Sequence, residues 1–304
     1  MQYVLTLSTD PLAGLLGAAQ AARAAEALRR AGATVGPTDW LAPDVALDLP
    51  FDGVAPALAV SRVRDALEGR PVDANAQAAA GRRKRLLIAD MDSTIITSES
   101  LDELAEYAGL KEVISAITAR AMRGELDFEA ALTERVAMLA GLPEATIGSV
   151  LEGISLTAGA DALVATMKAH GAYCALVSGG FTPMTAAIRA RVGFDEDRAN
   201  RLEIAGGALT GRVIAPILGR EAKLAALQEL AARLGTDPAD AVAVGDGAND
   251  LAMLQAAGIG VAFRAKPAVR EAAAFRIDHG DLTGLLYLQG YRSSEIESAV
   301  RGRI

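Results

Sequence analysis

The chain has 304 residues, a formal net charge of −8, 51% hydrophobic and 22% charged residues, and a mean hydropathy of +0.25. Such a chain can bury a large core, which excludes disorder as its dominant state, and its length suggests about two domains. The acidic balance argues against nucleic-acid or anionic-membrane partners, and the single Cys174 excludes a disulfide framework or a cysteine-rich zinc site.

Tyr3 to Leu7 alternates like a strand, and Leu12 to Arg30 is Ala-rich and helical. Trp40 to Leu49 reads as one or two strands broken by Pro43, and Val60 to Leu67 as a helix. Pro71 to Arg85 reads as a linker ending in the basic run Arg82-Arg83-Lys84-Arg85, a solvated run before a strand. Arg85 to Asp90 has the apolar core of a buried strand, and Ser100 and Glu103 are spaced as a capping box. Helical signals fill Lys111–Met122, Phe128–Leu139 and Glu144–Leu151, punctuated by Gly124, Gly141 and Pro143.

Strand and helix then alternate. Ala172–Ser178 is a strand and Pro183–Val192 a helix, and Arg201–Val213 is a hairpin around Gly206-Gly207. Arg220–Leu234 is a helix, Ala241–Asp246 a strand and Leu251–Ala257 a helix. Ile259–Phe263 and Phe275–Asp278 are further short strands. Alternation of this kind implies an α/β fold, a parallel sheet covered on both faces, with the helical Lys111–Ile154 block inserted into it.

Three expected strands run into reactive groups: Asp90 with Asp92 close behind, Ser178 before Gly179-Gly180, and Asp246 within Gly245-Asp246-Gly247-Ala248-Asn249-Asp250. Ligands of open α/β sheets bind at the carboxyl ends of the strands, so these residues should share one crevice. Carboxylates about 4 Å apart repel by roughly 4 kcal/mol at an effective dielectric of about 20. A dication removes that penalty, and an all-oxygen donor set favours Mg²⁺ over Zn²⁺. The glycines after Ser178 let backbone N–H groups approach a phosphate. Lys223 can place an ammonium on it, and an Asp carboxylate can attack phosphorus. His170 and His279 have no ligand partner nearby in sequence, so a histidine-based metal site or triad is not expected.

Asp90-Met91-Asp92-Ser93-Thr94, Ser178, Lys223 and Gly245 to Asp250 together resemble the haloacid dehalogenase superfamily. Ser98-Glu99, Gly124–Phe128, Glu134-Arg135-Val136, Val177–Phe181, Ala199–Leu202 and Ala265-Lys266-Pro267 bring the chain closest to its phosphoserine phosphatase branch. The resemblance covers roughly residues 85–287. It implies a Rossmann-like core over 81–98 and 155–304 with a helical cap over 99–154. It also implies Asp90 as nucleophile, Asp92 as general acid and base, and Mg²⁺ held by Asp90, the Asp92 carbonyl and Asp246, with Asp250 supporting the metal through water or through its ligands. Ser178, Gly179, Lys223 and Asn249 would bind the phosphoryl group, Glu99 the substrate ammonium and Arg135 its carboxylate. Glu99 also suits a helix's first turn and Arg135 could simply cover apolar surface. The reaction implied is hydrolysis of O-phospho-L-serine, the last step of L-serine biosynthesis. Phosphoryl transfer to another alcohol such as homoserine, or hydrolysis of another small phosphoester, stays open.

Residues 1–80 form a separate α+β block whose order resembles small ACT-type regulatory domains, a candidate ligand-sensing or homodimerising module. The first positive charge is Arg23, so the start lacks the basic residues of a signal peptide. The longest uncharged stretch, Ala169 to Ile188, carries Gly171, Gly179, Gly180 and Pro183 and is no membrane span. A soluble cytoplasmic enzyme is the expectation.

Overall fold

A computed structural model of the chain describes residues 1–123 and 125–302. Gly124, read above as a break between helices, lies outside the described residues, as do the last two residues of the 155–304 range. The chain forms two compact units. Residues 1–85, 158–172 and those from Ala274 onward make the first, and Leu86–Thr157 with Tyr173–Ala273 the second.

The first unit begins with β1 (Tyr3–Ser8), α1 (Ala18–Arg30), β2 (Thr34–Val35), β3 (Asp39–Ala42), β4 (Ala46–Asp52), α2 (Pro56–Ala66) and β5 (Asp73–Ala78). Its sheet runs β2-β4-β1-β5, with β3 also on β4, and every pair is antiparallel. Leu5 and Leu7 share one face of β1, as a two-residue period requires, and meet Leu47, Leu49 and Phe51. Ala24 and Leu28 of α1 and Ala59 and Val63 of α2 close that cluster.

Two expectations change here. The first helix starts at Ala18, not Leu12. Asp10 accepts from Ala13 and Gly14 in a turn, and Gly17 N–H donates 3.1 Å to Gln20 Oε1 at the helix start. The stretch read as a linker contains a strand, because β5 pairs with β1 from Ser8–Asp73 to Tyr3–Ala78. Its small and polar residues hide the alternation. Asp73 and Asn75 are buried because they bind backbone: Asp73 accepts from Asp278 N and Gly280 N at 2.8 Å, and Asn75 Oδ1 from Arg276 N at 2.9 Å.

The second unit opens with β6 (Leu86–Ala89). The insertion α3 (Ser100–Tyr107), α4 (Lys111–Met122), α5 (Phe128–Ala137) and α6 (Thr146–Gly153) follows. After α7 (Ala160–Ala169), which belongs to the first unit, it resumes with β7 (Tyr173–Phe181), α8 (Thr182–Val192), β8 (Glu196–Ala205) and β9 (Ala208–Ile214). It ends with α9 (Arg220–Arg233), β10 (Ala241–Gly245), α10 (Leu251–Ala256), β11 (Ile259–Phe263) and α11 (Pro267–Ala272). The sheet order is β11-β10-β6-β7-β8-β9, parallel up to β8, with β9 antiparallel to it. The expected α/β architecture with a helical insertion is what the chain adopts.

The insertion is tied at both ends. Its two stems pair through Thr97 N to Ser155 O at 3.1 Å and Thr157 N to Ile95 O at 2.9 Å. The β8–β9 turn uses Gly206 and Gly207 at φ 59° and 79°, conformations that favour glycine in a tight hairpin. Beside that turn, Gly141 N donates to Leu209 O at 2.8 Å and Glu144 N to Gly207 O at 2.9 Å. The capping box does not form: Ser100 is the first helical residue and Glu99 precedes the helix. The Ser100 N–H instead donates to the Asp92 carboxylate at 2.7 Å.

The first unit is completed by β12 (Phe275–Ile277), α12 (Gly284–Leu288) and α13 (Ser293–Arg301). Among the described residues no helix is long and apolar enough to cross a membrane.

Glycine positions give a test of the packing. A Cβ on Gly260 would lie 1.8 Å from the Leu254 carbonyl oxygen, whereas one on Gly148, within α6, meets nothing within 4 Å. Gly260→Ala is expected to cost about 3 kcal/mol in urea unfolding. Gly148→Ala should gain up to about 1 kcal/mol through helix propensity.

Candidate active site

The parallel sheet brings the ends of β6, β7 and β10 side by side. Asp90 follows β6, held by its N–H to Val244 O at 3.0 Å. The chain then turns sharply: Asp92 is extended at φ −66°, ψ 135°, and Ser93 takes φ 55°. A left-handed serine is strained, a cost tolerated mostly where function fixes the backbone. β7 runs past Ser178 to Phe181 instead of ending on the serine, because Phe181 still pairs with Asn200. Asn200 also donates 2.9 Å to Gly179 O, which fixes that peptide.

Asp90, Asp246 and Asp250 each offer a carboxylate oxygen, all within 4.8 Å of one another and all buried. Lys223, from the first turns of α9, lies between two of them, with Nζ 2.7 Å from Asp90 Oδ1 and 2.5 Å from Asp250 Oδ1. Burial works against the Lys223 charge, but the carboxylates of Asp250 and Asp90 outweigh it and hold the amine above the ordinary lysine range. Burial, then the Asp250 charge, pushes Asp90 well above the usual carboxylate range. Asp246 is raised by burial too, although Lys266 Nζ donates 2.7 Å to its Oδ2.

This donor set fits a hard dication. Asp246 Oδ1 and Asn249 Oδ1 are buried with no hydrogen-bond partner. An orphaned carboxylate oxygen beside two further carboxylates is a costly arrangement that a bound cation would relieve. Close packing is built into the backbone here. A Cβ on Gly245 would sit 2.3 Å from Asp250 Cγ, and one on Gly180 2.9 Å from Asp92 Oδ2.

Above this cluster lies a pocket lined by Asp90, Asp92, Ser178, Gly179 and Asn249 from the sheet and by Glu99 and Arg135 from the insertion. Asp92 Oδ1 accepts from Ser100 N at 2.7 Å and Oδ2 from Ser178 Oγ at 3.3 Å. Burial raises its pKa against those two donors. Ser178 Oγ in turn accepts from Gly180 N at 2.8 Å. Glu99 is pushed from 4.5 up to about 8, by burial first and then by the Asp92 charge, with the Ser93 hydroxyl donating 2.6 Å in partial compensation. Arg135 is buried, with Nε on Ala131 O at 3.0 Å and Nη1 on Thr118 Oγ1 at 2.7 Å.

Asp90, Asp92, Glu99, Arg135, Ser178, Gly179 and Asn249 therefore line one pocket, and Lys223, Asp246 and Asp250 cluster with its Asp90. The sequence reading missed Thr118, and gave no role to Ser93 or to the charge of Lys266. Lys266 stood in the motif Ala265-Lys266-Pro267 without a role, and its distance of 20 residues from Asp246 gave no signal. Phe128 stood at the end of the Gly124–Phe128 motif without a role: its ring lies where a Cβ on Gly179 would come within 2.7 Å of Cζ, so the glycine lets the insertion approach the sheet.

Residues 87–255 match the family model described as haloacid dehalogenase-like hydrolase. The chain is 47% identical over 218 residues to a phosphoserine phosphatase of Streptomyces coelicolor, covering 72% of this chain and 53% of that protein. It thus spans about half the length of that curated relative. A solved phospho-aspartyl intermediate analogue of phosphoserine phosphatase aligns at 40% identity with a TM-score of 0.65, over 67% of this chain and 98% of that one. A probable phosphoserine phosphatase from Vibrio cholerae aligns at 31% identity and TM-score 0.75, over 99% of this chain and 89% of that one.

The raised Glu99 carboxyl makes a pH prediction. A folded-state pKa of about 8 against 4.5 means that ionising Glu99 subtracts stability as pH rises through that window. In protein without added metal, Glu99→Gln should raise the urea midpoint over wild type above pH 8, and the gain should vanish below pH 4.5.

Proposed function

The chain belongs to the haloacid dehalogenase-like hydrolase family, and on that premise we propose that it is a cytoplasmic, Mg²⁺-dependent phosphoserine phosphatase. It would hydrolyse O-phospho-L-serine to L-serine and phosphate. The observation that carries this reading is the pocket that an acid, Glu99, and a guanidinium, Arg135, line together with Asp90, Asp92 and Ser178. An amino acid needs one partner of each sign, and an arginine fork suits a carboxylate.

In this mechanism an Asp90 oxygen attacks phosphorus, and the bond from phosphorus to the seryl oxygen breaks as the Asp90 bond forms. Asp92 gives its proton to that seryl oxygen. Its burial favours the protonated form a general acid needs, and its bonds to Ser100 N and Ser178 hold it in place. In the second step Asp92 takes a proton from water, the water oxygen bonds to phosphorus, and the Asp90 bond breaks. Serine and phosphate leave with both carboxyl groups restored.

Ser178, the Gly179 N–H, Lys223 and Asn249 would bind the phosphoryl oxygens. Asp90, Asp246 and Asp250, with the Asp92 carbonyl, would hold Mg²⁺, which when bound neutralises charge on the carboxylates and the phosphoryl group. The helices over 99–154 would act as a cap that keeps bulk water from the intermediate. The N-terminal α+β block would serve as a ligand-sensing or dimerising module of ACT type. Its strand order β5-β1-β4-β2, with α1 and α2 in one apolar cluster, supports that.

Phosphate release from a panel of phosphorylated metabolites, with and without Mg²⁺, tests the reading. Phosphoserine should be the preferred substrate and EDTA should abolish turnover. Asp90→Asn should fold normally yet lose at least about 10³-fold in rate, the scale of losing a covalent nucleophile. Retained turnover would remove Asp90 from that role. Mg²⁺ should also raise the melting midpoint of the wild type, by mass action on the folded state, and should do so much less for Asp246→Asn.

A further inference from the structure

We propose that Asp102 and Thr118 are positioning residues that aim Arg135 at the substrate carboxylate, so that selectivity for an amino-acid phosphoester is built across three helices of the insertion. The inference rests on the reading of Arg135 given above.

The three residues form a chain of hydrogen bonds, one from each helix: Asp102 on α3, Thr118 on α4 and Arg135 on α5. Arg135 Nη1 donates 2.7 Å to Thr118 Oγ1, and Thr118 Oγ1 donates 2.8 Å to Asp102 Oδ1. The direction is fixed by chemistry. A guanidinium can only donate, so the threonine oxygen accepts from it and has its own proton left for another acceptor. The Ile114 carbonyl, at 3.0 Å, is the other acceptor in reach, but a carboxylate is the stronger one.

All three side chains are buried, and so are the apolar Leu101, Leu104, Ile114, Leu132 and Val136 of the same helices. Helices can be held together by such contacts alone. A polar chain through them costs desolvation, and that cost is out of proportion to a mere tie between helices. The charge that most offsets the burial of Arg135 is that of Asp102, ahead of Glu99 and Asp92.

At its other end Arg135 lines the substrate pocket. The bonds from Nε to Ala131 O and from Nη1 to Thr118 restrain a long, flexible side chain before any ligand arrives. The remaining N–H donors are then available to an anion in the pocket. Preorganisation of this kind lowers the cost of binding without touching the reacting atoms.

The test compares phosphoserine with phosphoethanolamine, which lacks the carboxylate, using the full chain with Mg²⁺. Thr118→Val keeps the shape and removes the hydroxyl. It should raise KM for phosphoserine about tenfold, the effect of one hydrogen bond to a charged group, with kcat nearly unchanged. Both constants for phosphoethanolamine should stay as in the wild type, and Thr118→Ser should restore the phosphoserine KM. Arg135→Ala should erase the preference for phosphoserine. If Arg135→Ala erases it while Thr118→Val leaves KM untouched, the relay is wrong and the reading of Arg135 stands. Equal losses on both substrates for Thr118→Val would mark a purely structural threonine and also overturn the relay. A preserved preference in Arg135→Ala would overturn the reading of Arg135 and the relay with it. Asp102→Asn, which keeps its size and loses its charge, is expected to raise the phosphoserine KM alone and decides the matter if the valine variant does not fold.

Discussion

A single ammonium between two buried carboxylates organises the second unit. Lys223 meets Asp90 from the end of β6 and Asp250 from the loop after β10. Three elements must therefore converge within a few ångströms, in a place that water cannot soften. Breaking such a buried pair costs about 3–5 kcal/mol, because it leaves an unpaired charge behind. The parallel sheet makes the convergence natural, since its strands all end on one edge. The local backbone obeys the same demand: Gly245 and Gly180 stand where any Cβ would strike the Asp250 or Asp92 carboxyl. Those glycines are required by the space the carboxyl groups occupy, as well as by any approach of phosphate.

The proposed recognition of substrate would draw on a different part of the chain. Glu99 lies just before α3, close to where the stems of the insertion pair through Thr97 and Ser155. Arg135 lies two helices further on, and the loop after α5 is bonded to the β8–β9 hairpin. The two groups that would read the ends of an amino acid are thus carried on separate parts of the insertion, Glu99 beside its paired stems and Arg135 on the helix whose following loop is bonded to the β8–β9 hairpin. A pocket so divided can bind its ligand only when the insertion and the sheet are in register. On the proposed function, that would couple selection of the substrate to exclusion of water.

Much of this was legible because it is local. The strands around Leu86–Ala89 and Ala241–Gly245 are apolar runs, and the hairpin at Gly206-Gly207 carries its turn in its composition. The acidic residues after those strands announce their chemistry by type and spacing. What stayed hidden depends on distant partners. β5 is written in Asp, Asn, Gln and Ala, and its burial makes sense only once Asp73 and Asn75 are seen holding the backbone of residues 276–280. The capping box at Ser100 was overridden because Asp92, eight residues earlier, takes the N–H that a cap would have satisfied. Thr118 carried no signal, and Lys266 stood in a motif without a role, since a lysine or threonine on a helix or loop reads as surface until its partner is known.

The overall charge of −8 poses a question that these contacts answer. A phosphate monoester is an anion, and the pocket it would enter already holds Asp90, Asp92 and Glu99. Lys223 is shared between Asp90 and Asp250, and Lys266 is engaged with Asp246, so neither ammonium is wholly free to balance an incoming phosphoryl group. With an effective dielectric near 20, each unbalanced carboxylate about 4 Å away would oppose the anion by roughly 4 kcal/mol. On the proposed function, affinity for phosphate would be helped by a further positive charge at the carboxylate cluster, where Asp246 Oδ1 has no partner. The same acids that repel the substrate create the site for the cation that would admit it. Binding of the anion would, on the proposed function, be conditional on the cation, and an acidic protein could select a phosphorylated amino acid without a basic surface.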